Sequence, residues 1–233
     1  MSTSRRARAR AATLVEPDLL AEPVTLRPPR MSDARDRAAL RSANESWLRP
    51  WDPTNPAQTG APESRSPLEP LAALVRKSPA RPFLVEANRR LQEARNGNNL
   101  CWMICYGQDL AGELNIKEIT WGSTRSAELA YWIYQKLAGI GVMPTAVAMG
   151  VDHCFQELGL HRLEAGIRLD NIPSRRVVEK LGFREEGVRV RQVHIDGAWR
   201  DHLYYAITTE DAPDGLLPRW RNALAASRSS TST

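Results

Sequence analysis

Cysteine is scarce in this sequence, with three residues among 233, at positions 101, 105 and 154. No two of them form the CxxC pair typical of zinc sites, and the four histidines show no zinc-type spacing to them. A small, odd number of cysteines also argues against a disulfide framework and favours reduced thiols. We therefore expect no metal and a cytoplasmic location.

Long apolar runs are missing as well. No stretch approaches the ~20 apolar residues of a helical membrane span, and no apolar signal-peptide core follows the basic start. These absences predict a chain that is neither exported nor in contact with a membrane. The fractions of hydrophobic residues (42%) and charged residues (25%) are ordinary for a globular protein, so the length suits one domain with tails.

Positive charge is in excess and is concentrated at one end. The net charge is +5, and four arginines stand in the first ten residues, "MSTSRRARAR", which show no hydrophobic period. We predict a disordered basic arm over residues 1–20. Such an arm acts as a solubilising tail and is open to non-specific contact with RNA, because long-range attraction favours anionic partners.

Hydrophobic periodicity over residues 21–210 predicts strands and helices in the order β-α-α-β-β-β-α-β-α-β-β. The second helix corresponds to "PFLVEANRRLQEARNG", and hairpins are predicted at Gly107–Asp109 and Asp196–Gly197. Mixed strands with interspersed helices indicate one α+β domain without an internal boundary. We predict that residues 211–233 form a tail with one helix around "LLPRWRNAL", followed by disorder.

The stretch "YWIYQKLAGIGVMPTAVAMG" begins as a strand, breaks at two glycines and continues as a helix with Pro144 in its first turn. A helix N-terminus offers unpaired N–H groups and the positive end of the helix dipole, so it binds phosphate readily. Gly139 and Gly141 have no Cβ atom and let a ligand approach the backbone. The pattern predicts either a pyrophosphate site at residues 139–143 or a tight turn without a ligand.

This turn resembles the cofactor-binding turn of the GNAT acetyltransferases, whose pattern is Gln/Arg-x-x-Gly-x-Gly/Ala. Gly141 matches the inner glycine, whereas Ala138 and Met143 depart from the pattern. Farther along the chain, "NIPS", "EKLGF" and "HIDGAWRDH" resemble motifs of the ribosomal-protein-alanine N-acetyltransferases within that superfamily. The resemblance extends over roughly residues 22–209.

The resemblance implies the GNAT fold, an α+β fold with a central, mostly antiparallel twisted mixed sheet flanked by helices. The sheet splays in a V between its fourth and fifth strands, and acetyl-CoA enters that V as the co-substrate. The implied reaction is acetyl transfer to the N-terminal α-amine of a protein, with a ribosomal protein as the leading candidate. A small amine (aminoglycoside, polyamine or amino acid) is the alternative acceptor, and a non-catalytic protein that binds CoA or RNA is a third possibility. The oligomeric state stays open.

The resemblance also implies catalytic residues. Some GNAT enzymes carry a glutamate on the strand before the turn, and Glu128 is therefore the first candidate for the general base. Glu113, on the preceding strand, is the second candidate, and either carboxylate could instead lie in an ion pair. Ser174 resembles a serine that hydrogen-bonds the CoA sulfur, and Asn171 resembles an asparagine that contacts the pantetheine arm. Both residues would also suit a helix cap.

The remaining expectations concern contacts with the cofactor. The backbone of Trp132 and Ile133 should hold the thioester carbonyl and the pantetheine arm, with a β-bulge that frees an N–H group. Two features of relatives are absent: no tyrosine stands one turn into the helix after Asn171, and Val193 replaces a carboxylate. The pyrophosphate should lie on the backbone of Gly139, Ile140, Gly141, Val142 and Met143.

Overall fold

The computed structural model describes residues 11–56 and 97–230. The first ten residues of the predicted basic arm lie outside these ranges. So does the helix predicted for "PFLVEANRRLQEARNG", apart from Gly97 at its end.

Within the described ranges, eight strands form one sheet in the order β1-β2-β3-β4-β5-β6-β8-β7. Neighbouring strands are antiparallel, except that β5 and β6 are parallel. The predicted α+β class with a mostly antiparallel mixed sheet is therefore confirmed. The strands are β1 (Leu14–Glu16), β2 (Val24–Arg27), β3 (Leu100–Tyr106), β4 (Asp109–Thr120), β5 (Ser126–Ile133), β6 (Arg162–Arg168), β7 (Arg184–Ile195) and β8 (Ala198–Thr208).

Five α-helices flank the sheet in the part of the chain that the structure describes. Short 3-10 turns at Arg49–Trp51 and Gln135–Leu137 follow α2 and β5. No helix in these ranges has the length and hydrophobicity of a membrane-spanning segment. The helices are α1 (Asp33–Ala43), α2 (Glu45–Leu48), α3 (Val142–Gln156), α4 (Ile172–Lys180) and α5 (Leu216–Ser230).

Helices lie on both faces of the sheet. Successive residues of a strand point to opposite faces, and β4 shows where each helix packs. Leu114 is fully buried and faces α3, since a Cβ atom on Gly150 would come within 2.4 Å of it. Its neighbour Glu113 is bonded to Arg37 of α1 on the other face. The apolar core therefore lies mainly between the sheet and α3, whose residues Val142–Val151 are all buried.

Both ends of the described chain are more ordered than the sequence predicts. Leu14–Glu16 pairs with Val24–Leu26 as strand β1, so the expectation of a disordered arm through residue 20 is wrong at these residues. A three-residue strand is too short to give a periodic signal. The helix predicted around "LLPRWRNAL" is present as α5, and it continues to Ser230, where the sequence predicts disorder.

A V-shaped opening separates β5 from β6. Their parallel pairing covers only Ser126–Glu128 against Arg162–Glu164, although β5 continues to Ile133 and β6 to Arg168. On their outer sides both strands stay paired, to β4 and to β8. The splay predicted between the fourth and fifth strands is therefore present. Here these two strands are β5 and β6, because the additional strand β1 shifts the numbering by one.

Candidate active site

The glycine turn connects β5 to α3 at the wide end of the V. Gly139 and Gly141 both have left-handed backbones, with φ of 89° and 101°, which explains why glycine stands at each position. Gly141 is the N-cap of α3, and a Cβ atom on Gly139 would meet open space. The side chains of Val142 and Met143 are buried, so these residues can offer a ligand only their backbone.

The backbone of β5 beyond Glu128 faces the V. Trp132 and Ile133 lie in this stretch, and they pair with Glu113 and Gly112 of β4. The register with β4 runs one-to-one from Ile133 back to Glu128, so the bulge expected at Trp132 and Ile133 is not there. The sheet instead places its irregularities on β4, where the ladder shifts at both ends of the strand.

A polar crevice of about 130 Å³ lies at the apex of the V, where β5 and β6 still pair. Glu128 and Glu164 are opposite each other in the register, and both line it. Glu118 also lines it and has a positive φ of 54° at the irregular end of β4, where a bulge re-aims side chains. The other lining residues are Thr120, Ser126, Ala127 and Arg189.

The carboxylates of this crevice differ in their electrostatic environment. Burial, followed by the charge of Glu118, raises the pKa of Glu128 above its ordinary value. Glu164 accepts a hydrogen bond from Nε of Arg162 at 2.8 Å and lies 3.5 Å from a guanidinium nitrogen of Arg189. The raised pKa of Glu128 moves this carboxylate towards neutral pH, as a general base requires. Glu164 was not predicted from the sequence, because strands β5 and β6 are neighbours only in the folded chain.

Glu113, the second candidate base, lies in a different environment. Its side chain is 1% exposed and pairs with Arg37 through two nitrogens, one of them 2.9 Å from Oε2. The indole N–H of Trp132 donates to the same carboxylate oxygen at 2.9 Å. These contacts favour the ion-pair role over the catalytic one, because a carboxylate held by three donors is a poor proton acceptor.

Asn171 and Ser174 come together at the N-terminus of α4. The Asn171 side chain accepts a hydrogen bond from the Ser174 N–H at 3.2 Å, which is the N-cap that the sequence suggests. The Ser174 hydroxyl donates to Oη of Tyr131 at 3.1 Å, and Tyr131 donates to the Ser174 carbonyl at 3.1 Å. The sequence indicated no role for Tyr131. Its side chain points away from that of Trp132, towards the face of the sheet that α3 and α4 cover.

Tyr131 therefore brings a phenol next to Ser174 at the N-terminus of α4. Burial of its hydroxyl raises the pKa of Tyr131 well above the ordinary value, and the hydrogen bond from Ser174 offsets only part of that rise. A tyrosinate is thus disfavoured here. The geometry suits Tyr131 for holding the Ser174 hydroxyl rather than for giving up a proton.

Residues 44–54, which we call the 44–54 segment, cross the opposite face of the V. At the β5 side, the Asn44 side chain accepts from the Gln135 N–H at 2.9 Å. At the hairpin side, the Thr54 N–H donates to the His194 carbonyl at 2.8 Å, and the Thr54 hydroxyl lies 2.7 Å from Nδ1 of His194. Between them, Arg168 of β6 donates to the Pro50 carbonyl at 2.9 Å. The segment therefore spans the V from one wall to the other.

Comparisons with known proteins agree with this geometry. A family model described as the acetyltransferase (GNAT) domain matches residues 24–184. The chain belongs to the GNAT acetyltransferase family. The structure of Mycobacterium smegmatis RimJ in complex with CoA-disulfide is similar over 93% of each chain, with 36% sequence identity and a TM-score of 0.75.

Two curated relatives match a shorter stretch of this GNAT chain. The probable N-acetyltransferase YjcK of Bacillus subtilis is 40% identical over 102 residues, which is 44% of this chain and 56% of the relative. The [ribosomal protein uS5]-alanine N-acetyltransferase of Escherichia coli is 32% identical over 108 residues, which is 46% of this chain and 56% of the relative. The matched stretch thus spans little more than half the length of these relatives. The predicted resemblance to ribosomal-protein acetyltransferases is confirmed at the level of similarity.

Proposed function

We propose that this GNAT chain transfers the acetyl group of acetyl-CoA to the N-terminal α-amine of a protein, with a ribosomal protein as the favoured acceptor. The observation that carries the proposal is the similarity to RimJ holding CoA-disulfide, which extends over 93% of both chains. The V between β5 and β6, with a glycine turn at its wide end, supports the same function. The three buried free cysteines favour a cytoplasmic location.

The residues present fit the co-substrate. The exposed turn at Gly139 and Ile140 leaves room above the backbone, and the N-terminus of α3 adds N–H groups and a partial positive charge. When bound, acetyl-CoA supplies an activated acyl group whose carbon–sulfur bond breaks in the reaction. The unpaired edge of β5 at Trp132 and Ile133 would position the pantetheine arm, with Asn171 beside it. Positioning of this kind converts an encounter of two molecules into a nearly unimolecular step.

Glu128 would accept the proton of the acceptor amine, directly or through a water. An α-ammonium group has a pKa of about 8, so only a minor fraction is neutral at pH 7. The raised pKa of Glu128 makes it a stronger base than an ordinary glutamate. The neighbouring Glu118 and Glu164 would attract the ammonium group to the crevice before the proton leaves it.

Ser174 would stabilise the leaving sulfur by a hydrogen bond. Its hydroxyl can turn from Tyr131 to donate to the thiolate, while the Tyr131 hydroxyl keeps its bond to the Ser174 carbonyl. Departure as a free thiolate is the alternative. The acceptor ammonium loses two protons in all, one to become the neutral amine and one when its nitrogen gains the acetyl group. As the carbon–sulfur bond breaks, CoA leaves as a thiolate that takes up one of these protons.

The decisive experiment compares acceptors with the full chain. Acetyl-CoA is mixed with peptides that begin with Ala, Ser or Met, and release of free thiol is followed together with the peptide mass. The matched control is each peptide with its α-amine already blocked. We expect turnover of at least one free peptide and none of its blocked form. Binding of CoA without turnover of any amine would instead support a non-catalytic role.

A small cationic amine is the second candidate acceptor, because three carboxylates line the crevice at the V apex. The same assay with spermidine and an aminoglycoside tests it. Protein acetylation predicts that kcat/KM for these amines is at least about tenfold below that for the best peptide, a difference of about 1.4 kcal/mol. The opposite ranking would favour the small-amine function. The basic arm would attract ribosomal RNA, and this attraction would help only if the acceptor is a ribosomal protein.

A further inference from the structure

The glycine turn rests on parts of the chain that lie outside the matched family domain, residues 24–184. A Cβ atom on Gly141 would come within 3.2 Å of the Leu20 side chain and 3.6 Å of the Trp220 ring. Leu20 precedes the domain, and Trp220 belongs to α5, beyond its end. The underside of the turn is thus packed against elements that the family domain does not include.

A chain of hydrogen bonds connects α5 to the turn. The indole N–H of Trp220 donates to the Thr145 hydroxyl at 2.9 Å, and that hydroxyl donates to the Gly141 carbonyl at 2.9 Å. Thr145 is fully buried and Trp220 is 4% exposed, so water does not compete for these bonds. The hydroxyl uses one donor and one acceptor, and no other side chain type of this size supplies both except serine.

The start of α5 is fixed as well. Asp152, on α3, accepts hydrogen bonds from the N–H groups of Leu216 at 2.6 Å and Leu217 at 3.0 Å. An acidic side chain at a helix N-terminus both caps the helix and complements its dipole. Farther along α5, Arg228 donates to the Leu19 carbonyl at 3.1 Å, next to Leu20. Helix α5 is therefore held at both ends beside the turn.

We infer that α5 is part of the cofactor site, because Trp220 and Thr145 fix the orientation of the Gly141 peptide and with it the amides of the turn. Thr145 and Trp220 are positioning residues, since neither side chain faces the V. The inference rests on the proposed function, in which these amides hold the pyrophosphate of CoA. The Gly141 carbonyl also accepts the Thr145 N–H at 3.1 Å, and the side-chain bonds add to this helical bond. A left-handed glycine has many other conformations, so a turn without the side-chain bonds would spend less time in the binding-competent one.

The test measures CoA affinity by calorimetry with the full chain. Thr145→Val keeps the shape and removes the hydroxyl, whereas the matched variant Thr145→Ser keeps the hydroxyl. If the competent turn falls to about one-tenth occupancy, the Kd for CoA rises about tenfold in Thr145→Val. Thr145→Ser should restore most of the affinity. The KM for acetyl-CoA should rise with the Kd, and the KM for the acceptor peptide should change less.

Two further measurements keep the outcome clear. Trp220→Phe removes the indole bond to Thr145 and leaves the Thr145 hydroxyl in place. It should raise the Kd for CoA by less than Thr145→Val does, and it tests the inference even if Thr145→Val fails to fold. Thermal melts of each variant separate loss of affinity from loss of structure. Equal Kd values for folded Thr145→Val, Trp220→Phe and wild type would overturn this inference alone. A wild-type chain that binds no CoA would overturn the proposed function and this inference together.

Discussion

The two sides of the V are built in different ways. The side that we propose for the cofactor consists of backbone from one continuous stretch, β5, the glycine turn and the start of α3, supported from below by α5. The opposite side is built from side chains of distant parts of the chain, such as Arg37 with Glu113, which are 76 residues apart, and Thr54 with His194, which are 140 residues apart. A backbone site tolerates most changes of exposed side chains, whereas a side-chain network is sensitive to the loss of any member.

The largest effect is expected from Glu128→Gln, which removes the proposed base. Turnover should fall by about 10²–10⁴-fold near neutral pH and by less at high pH, where the amine is already neutral. A pH–rate profile measures this. The matched control is Glu118→Gln, which removes an equal charge from the same crevice. Equal losses in the two variants, or a loss that is constant with pH, would show that the crevice contributes charge and not a base.

Glu113→Gln should damage stability rather than chemistry. Neutralising Glu113 breaks a buried ion pair and removes the carboxylate charge beside Arg37, and we expect a loss of about 3 kcal/mol in the free energy of unfolding. Urea unfolding measures the loss, and the pH–rate profile should keep its shape. Adding Arg37→Met to Glu113→Gln should recover part of the stability. A lost acidic limb in the pH–rate profile of Glu113→Gln would return this residue to the catalytic candidates.

Ser174→Ala should lower kcat by about tenfold, which is less than the roughly 10²–10⁴-fold of a full general acid, because the sulfur can also depart as a free thiolate. Tyr131→Phe should lower it by less, because Ser174 keeps its hydroxyl and loses only the partner that orients it. Single-turnover kinetics with acetyl-CoA in excess of its KM measures both. A larger loss in Tyr131→Phe than in Ser174→Ala would identify the phenol as the donor.

The smallest expected effect concerns the contribution of Glu128 to the stability of the folded chain. Because the pKa of Glu128 is raised in the folded state, the folded chain binds extra protons between the unfolded value and the folded value. The charged carboxylate therefore lowers stability at neutral pH, and this cost disappears as the pH falls through that window. Glu128→Gln should melt at a slightly higher temperature than wild type at pH 7, with no such advantage near pH 4. A lower melting temperature at pH 7 would contradict the raised pKa.

The difference between local contacts and contacts of distant residues also explains which features could be predicted from the sequence. The turn from β5 to α3 was predicted because its signals are local: a strand period, Gly139 and Gly141 at left-handed positions, and Pro144 in the first helical turn. The N-cap at Asn171 was predicted for the same reason. Local signals of this kind need no knowledge of the chain's distant contacts.

Contacts between distant parts of the chain could not be predicted in this way. Nothing near Glu113 in the sequence indicates Arg37, and the pairing of Tyr131 with Ser174 depends on how far β5 and α4 diverge. Strand β1 has only three residues, and its pairing with β2 supplies the order that its own sequence lacks. These features follow from tertiary packing, which outweighs local propensity.

A crystal structure with CoA bound tests the central proposal most directly. It should show pyrophosphate oxygens about 3 Å from backbone nitrogens between residues 139 and 143, with the pantetheine arm between β5 and β6 beside Trp132 and Ile133. A nucleotide bound elsewhere, with the V filled by Tyr131 or other side chains of the protein, would contradict it.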